Sequence, residues 1–235
     1  MKSILSPFQK IILDELCKEK FITQNFRLAG GTALSEFYLK HRYSEDLDFF
    51  TDEKQAIEEV KIKLNPLFKG IGIEAVEYRE ILSSKIFFLK KGQKETVKTD
   101  FNYFPFKRFA PGKTYRGLEI ESLLDIAISK LDTIITRKNA RDFVDFYFIA
   151  KHQATLIAKH QATLIQKEHP FDLSMLLQKL EEKMEVSIDP IFLGSCFLRI
   201  TEIYDYPLMI KAFSKEEMVK YFYSLAKSLK EKIIR

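Results

Sequence analysis

Asp46 and Asp48 stand two residues apart in the run Arg42-x-Ser44-x-Asp46-x-Asp48-Phe49-Phe50. If that run is an extended strand, both carboxylates project to one side, roughly 6.5–7 Å apart at the backbone, while Leu47 turns the other way into a core. Carboxylates so placed can converge on divalent cations, and cations held there manage a triphosphate and its leaving pyrophosphate. Gly31, fifteen residues before Asp46, belongs to the run Gly30-Gly31-Thr32-Ala33-Leu34. A glycine pair lets backbone N–H groups approach a phosphate, and a helix beginning near Thr32 adds its positive end and a hydroxyl. An Asp-x-Asp pair alone occurs by chance on surface strands. A tight turn plus a solvated acidic strand does not explain why acids sit beside a hydrophobic strand in a basic protein.

A third acid, Asp100, lies in the alternating run Lys98-Thr99-Asp100-Phe101-Asn102-Tyr103. It would complete a metal site or accept a proton from an acceptor hydroxyl; an exposed strand acid is the competing reading. A second block holds Lys130, Asp132, Arg137, Arg141, Asp142 and Asp145. Asp142 and Asp145 share a helical face at i, i+3. Lys130, set amid Ile126, Ala127 and Leu131, could turn its amine to phosphates from a buried edge. The plainer alternative is an ion-pair network joining two helices through Arg137, Arg141 and the acids, and Asp145 is assigned to it. Finally, Lys107, Arg108, Lys113 and Arg116 are interleaved with Phe104, Phe106, Phe109 and Tyr115. Cations for phosphates beside aromatics for bases suit single-stranded nucleic acid. A solvated loop anchored by its aromatics fits equally, and both readings stay open.

The elements that must position these residues are legible from periodicity. Ser6-Pro7 opens a helix with Phe8, Ile11, Ile12 and Leu16 on one face. A short strand at 26–29 leads into the glycine pair, and helical spacing resumes over 32–40. Residues 46–50 alternate as a strand, 53–68 form an amphipathic helix, and strands follow at 73–79, 85–89 and 96–103. Lys91-Gly92 predicts a hairpin between the last two. From Glu121 the chain turns helical, over 122–136, 140–150, 173–183 and 217–233, with Ser214 and Glu217 as a capping box. The expected organisation is α+β (α/β): residues 1–120 as a domain with a mixed sheet, then an all-helical half, 121–235, packed against it. The octapeptide Ile149–Leu156 is repeated without change at 157–164. That is too short for a solenoid unit, and it rotates whatever follows by about 80° along a helix.

Bulk properties exclude several classes. The 235 residues are 46% hydrophobic and 30% charged, enough to bury a core. No run approaches the roughly 18 apolar residues of a membrane span, and the first residues lack a signal-peptide pattern. Cys17 and Cys196 form no framework, which together point to the cytoplasm and to buried small hydrophobes. A net charge of +5 favours an anionic partner only weakly. Of the four histidines, His41, His152, His160 and His169, the copies His152 and His160 in the duplication fall off-face, and His41, which could touch an anion beside Arg42, reads as a surface residue. There is no P-loop and no Gly-x-Ser-x-Gly elbow.

Together, Gly30–Leu34, Arg42–Phe49 and Lys130 with Arg141–Asp145 resemble the AbiEii-type nucleotidyltransferases. These are the toxin half of bacterial abortive-infection and type IV toxin–antitoxin systems, within the polymerase-beta-like nucleotidyltransferase superfamily. The match spans residues 25–150; the helical remainder agrees only in general character. The resemblance implies a polymerase-beta-like fold whose helical half completes the active site. It implies Mg²⁺ on Asp46 and Asp48, and NTP contacts from Gly30, Gly31, Thr32, Arg42, Ser44 and Lys130. Asp142 matches a position needed for activity, and Asp100 is counted with the catalytic acids. It further implies transfer of a nucleoside monophosphate to tRNA at or near the 3′ acceptor end, which stops translation, and a cognate antitoxin protein. Lys107, Arg108, Lys113 and Arg116 would contact that nucleic acid. The superfamily usually shows Gly-Ser where this chain has Gly30-Gly31, and the duplicated octapeptide belongs to no pattern of the family. A small-molecule or protein acceptor, and a non-catalytic nucleotide-binding protein, are the alternatives.

Overall fold

The structure, a computed structural model, describes residues 3–92, 95–162 and 171–233, the side chains of 157–162 and 230–233 excepted. The chain divides into two units, Met1–Leu123 and Leu124–Arg235.

In the first unit, α1 (Pro7–Leu16) starts at a reciprocal capping box. Ser6 accepts from the Gln9 backbone N–H, and the Gln9 side chain accepts from Ser6, with Pro7 in the first turn. Phe8, Ile12, Leu13 and Leu16 are buried, but Ile11 is 39% exposed. At 100° per residue the buried arc centres near Ile12, Leu16 and Gln9, which leaves Ile11 beyond its rim. A short α2 (Lys20–Asn25) precedes β1 (Arg27–Ala29). The chain then turns at Gly30 into α3 (Gly30–Leu34), which widens into a π-helical turn over Ser35–Leu39. That turn ends at Lys40 with φ 48°. β2 (Asp46–Thr51), α4 (Lys54–Gly70), β3 (Ala75–Ile81), β4 (Ser84–Lys91) and β5 (Glu95–Tyr103) follow. Apart from α2, which the sequence pattern does not single out, the strand and helix positions agree with that pattern to within a few residues. Two further strands, β6 (Lys113–Tyr115) inside the basic aromatic stretch and β7 (Leu118–Ile120) just after it, complete the set. At three residues each they are too short to show alternation.

The seven strands form one mixed sheet in the order β3-β4-β5-β2-β1-β7-β6. β2 and β5 run parallel, as do β1 and β7; the other neighbours are antiparallel. The inward face carries Leu28, Leu47, Phe49, Phe87, Leu89, Val97 and Phe101, all buried. Phe49 stacks on Phe101 with centroids 4.8 Å apart, and Phe101 meets Phe87 edge-on, which in turn meets Phe68 of α4. Each buried ring is worth about 1.5–3 kcal/mol by area removed from water. This interlock fixes which way β2 and β5 face, and a slip of one residue would turn every acid inward.

The second unit is helical: α5 (Leu123–Thr136, its first residue in the preceding unit), α6 (Ala140–Ala162), α7 (Leu173–Met184), α8 (Pro190–Leu198) and α9 (Lys215–Ile233). A 3₁₀ turn over Arg199–Glu202 follows α8. Phe143, Phe146, Phe197 and Phe222 form its core, with Phe143 and Phe222 5.0 Å apart. α8 escapes detection by periodicity because nearly all of Pro190–Leu198 is apolar. α6 runs twelve residues beyond the predicted end at Ala150, through the first octapeptide and most of its copy. Ile149 and Gln153 of the first copy are buried, and the Gln153 side-chain Oε1 accepts from the Phe171 N–H at 3.2 Å. The last two residues of the second copy, 163 and 164, lie outside the described residues, as does His169. Ser214 caps α9 by accepting from the Glu217 N–H at 3.2 Å.

Both cysteines are buried and free, and burial pushes the Cys17 thiol up to about 11. Among the described residues no helix is long and apolar enough to cross a membrane.

Candidate active site

The outward face of the sheet in the first unit gathers the acids. Parallel pairing of β2 and β5 sets Asp46 against Lys98 and Asp48 against Asp100. Antiparallel pairing of β1 sets Ala29, the residue before the glycine turn, against Asp48. Asp46 and Asp48 are half-buried, while Leu47 and Phe49 between and beyond them are fully buried. The alternation expected of a strand is therefore what aims them.

The glycine pair has a reason inside the protein. Gly30 has φ +68°, and a Cβ there would run into the Asp48 carboxylate. A Cβ on Gly31 would run into the Arg42 guanidinium and lie 3.3 Å from the Ser44 hydroxyl. The turn, Arg42, Ser44 and Asp48 are thus packed against one another with no room for a side chain. Arg42 is 2% exposed, and its Nη1 donates to the Tyr43 carbonyl at 2.8 Å. The Ser44 carbonyl accepts from Gln9 Nε2 of α1 at 2.8 Å, which pins the segment leading into β2. Thr32 meets a different geometry from the one expected of a phosphate ligand. It is fully buried, and its hydroxyl donates to the Asp46 backbone carbonyl, so it straps the turn to β2. His41, read as a surface residue, is also fully buried, its Nδ1 3.4 Å from the Ser35 hydroxyl. It follows a left-handed Lys40 that turns the chain back inward.

Lys98 is the residue that spacing could have found and did not single out. It shares a face with Asp100 at i, i+2, and its Nζ lies 2.5 Å from Asp100 Oδ2. Burial works against its charge, but the Asp100 hydrogen bond and the fields of Asp100, Asp46 and Asp48 raise its pKa above the ordinary value. Asp100 moves up as well: burial pushes hardest, Asp46 adds to it, and Lys98 offsets only part. The other oxygen of Asp100, Oδ1, is buried with no hydrogen-bond donor. Among the described residues no three acidic, histidine or cysteine side chains stand as a ready-made metal cage, and Asp100 is engaged by Lys98. The donors do fit a divalent cation shared with phosphate oxygens: hard carboxylates on one face, one of them with an oxygen left over.

The second unit holds the other block. Lys130 Nζ lies 2.8 Å from Asp142 Oδ1 and 2.7 Å from Asp145 Oδ2. Arg137 donates to Asp142 through Nε at 2.7 Å and Nη2 at 3.2 Å. Both carboxylates are buried, and Lys130 is 7% exposed. Burial alone would raise Asp142, but Lys130 and Arg137 outweigh it and hold the carboxyl below the ordinary value. The ion-pair network weighed for Asp145 therefore takes in Lys130 and Asp142 too. A neighbouring buried pair, Lys183 and Asp125 at 3.7 Å, carried no motif that would reveal it.

The four cations of the aromatic stretch each contact the protein itself. Arg108 pairs with Glu119, and Arg116 Nε lies 3.4 Å from Asp14. Lys113 donates to the Phe37 carbonyl at 3.0 Å and sits 4.2 Å above the Tyr38 ring, while Lys107 lies over Phe109. Phe104 stacks on Phe50 at 4.7 Å, on the same sheet face as the acids. Lys107, Lys113 and Arg116 remain exposed.

Comparisons with known proteins give the family and the fold. The uncharacterized protein aq_aa25 of Aquifex aeolicus (strain VF5) is 28% identical over 160 residues, 68% of this chain and 74% of its own. JHP933 from Helicobacter pylori is similar in structure, with a TM-score of 0.56 at 22% identity, over 97% of this chain and 94% of its own. So is MenT4, the nucleotidyltransferase toxin Rv2826c from Mycobacterium tuberculosis H37Rv, with a TM-score of 0.57 at 14% identity, over 92% and 82%. At those identities the structural likeness is one of fold. The model of the family "Nucleotidyl transferase AbiEii toxin, Type IV TA system" matches residues 11–192. With the Gly-Gly turn and the acid strand both inside the matched span, the chain belongs to the AbiEii nucleotidyltransferases, the toxins of type IV toxin–antitoxin systems.

Proposed function

We propose that this nucleotidyltransferase moves a nucleoside monophosphate from an NTP to tRNA, at or near its 3′ acceptor end, using Mg²⁺ held by Asp46 and Asp48. The supporting observation is the register that lines up Asp46, Asp48 and Asp100 on one sheet face, with Asp48 packed against the Gly30 turn. In the reaction the α-phosphorus gains the acceptor oxygen as its bond to pyrophosphate breaks. A divalent cation there would neutralise the triphosphate and the departing pyrophosphate. Gly30, Gly31, Arg42 and Ser44 would shape the phosphate seat, with Thr32 positioning it through Asp46. Lys130 is assigned to the NTP phosphates on the family resemblance, and Asp142 acts through Lys130 as a positioning residue. The type IV family brings with it a cognate antitoxin as partner.

Incubation with each labelled NTP, Mg²⁺ and total tRNA tests this reading. Label should enter RNA with at least one NTP, and Asp48→Ala should abolish it. No label with any of the four NTPs sinks the proposal. Periodate oxidation of the tRNA, which destroys the terminal diol, should block labelling if the 3′ end is the acceptor. A second reading, a small-molecule or protein acceptor, is favoured by one observation: Arg108, Lys113 and Arg116 are already engaged within the chain. Transfer of label to a small-molecule or protein acceptor in place of RNA, unchanged by charge reversal at Lys107 and Lys113, would support it.

A further inference from the structure

We propose that Lys98 is an internal counter-cation: it holds Asp100 in the metal-free protein and is displaced when a divalent cation enters, so lysine and metal compete for one carboxylate. This rests on the reading that Asp46 and Asp48 bind the cation. The parallel register aligns Lys98 with Asp46 and Asp100 with Asp48, so one ammonium and three carboxylates face the same side. Like charges a strand's spacing apart repel, and more so where water is partly excluded. The Asp100 side chain is 15% exposed and that of Lys98 33%, so the pair is half out of water with a path open to it.

Lys98 satisfies one oxygen of Asp100 and leaves Oδ1 buried without a donor. A buried acceptor left so is costly, and the cost persists for as long as lysine alone holds the carboxylate. A cation reaching Asp100 would satisfy that oxygen and release the ammonium. A lysine suits such a role: its charge rides on a flexible stem and moves without disturbing the sheet, whereas an arginine would lock the carboxylate in a planar fork. In consequence the protein alone binds the cation weakly. A nucleotide favours loading, because its phosphates bring the cation and offer the displaced ammonium a new partner.

Titration of Mn²⁺ into the protein without nucleotide, followed by the loss of its free-ion EPR signal, reads the competition directly. Lys98→Met should bind Mn²⁺ on the order of tenfold tighter than the natural chain. Lys98→Arg should not gain, and Lys98→Met with Asp100→Asn should fall back to the starting affinity. Lys98→Gln serves if the methionine variant does not fold. Equal or weaker binding by the uncharged variants overturns the inference. The two levels separate with an unhydrolysable NTP. If Mn²⁺ binding with nucleotide depends on Asp48 while Lys98→Met is no tighter, only the counter-cation role falls. If no Mn²⁺ binds even with nucleotide, the metal reading falls and takes the counter-cation with it.

Discussion

Two aspartates, the half-buried Asp100 on the sheet and the buried Asp142 in the helical unit, have been given opposite surroundings. Asp142 has both oxygens taken, one by Lys130 and Arg137 and the other by Arg137. Its pKa is driven down despite burial. Asp100 has one oxygen on Lys98 and the other without a donor, and its pKa is driven up by burial and by Asp46. The residue type is the same; what differs is whether the protein supplies the last partner itself. A network in which both carboxylate oxygens find protein donors fixes how two helices meet. An incompletely satisfied carboxylate among like charges is stable only because something holds it there, and it is where an outside cation gains most.

That contrast breaks most plainly at Asp48. Asp48→Ala should lower transfer by on the order of 10³-fold, by analogy with other electrostatic groups at reacting phosphates and carbonyls. Its melting temperature should hold or rise, because an acid leaves a crowded face. Initial rates and thermal unfolding on one preparation decide it, and a variant that loses activity only because it unfolds would contradict the assignment. Next come the two matched amides. Asp142→Asn strips two cations of a charged partner and should cost about 3 kcal/mol in urea unfolding, since Lys130 keeps Asp145. Asp100→Asn removes a carboxylate from among carboxylates and should be neutral or slightly stabilising. Equal losses for the pair would mean that the two sites do not differ as described.

How far these sites could be read in advance follows from the physics of each. Asp46 and Asp48 were legible because strand alternation alone sends both to one side and Leu47 to the other. The Gly-Gly turn was legible as a turn, but its cause was not. That Asp48 and Arg42 fill the space a Cβ would need is a contact between residues eleven or more apart in sequence. Lys98 was visible on the Asp100 face, yet only the parallel register of β2 and β5 brings it to Asp46. The length of α6 was hidden because the octapeptide repeats at a period that does not match the helix, which blurs the apolar stripe. β6 and β7 were hidden by their brevity. His41 looked exposed beside Lys40 and Arg42, and its burial depends on the left-handed turn at Lys40.

The subtlest difference between the two aspartates lies in pH. Asp142 has a folded pKa below its ordinary 3.8, so its ionised form is the better bound one. The stability it contributes is complete above pH 3.8 and drains away as pH falls from there towards the lower folded value, because over that window the unfolded chain takes up the proton and the native state does not. The natural chain and Asp142→Asn, compared by urea midpoint, should therefore stand furthest apart near neutrality. They should draw together only once the pH has dropped below 3.8. A gap that stayed constant to the acid limit would mean that packing around the side chain, and not its charge between Lys130 and Arg137, is what the helical unit uses.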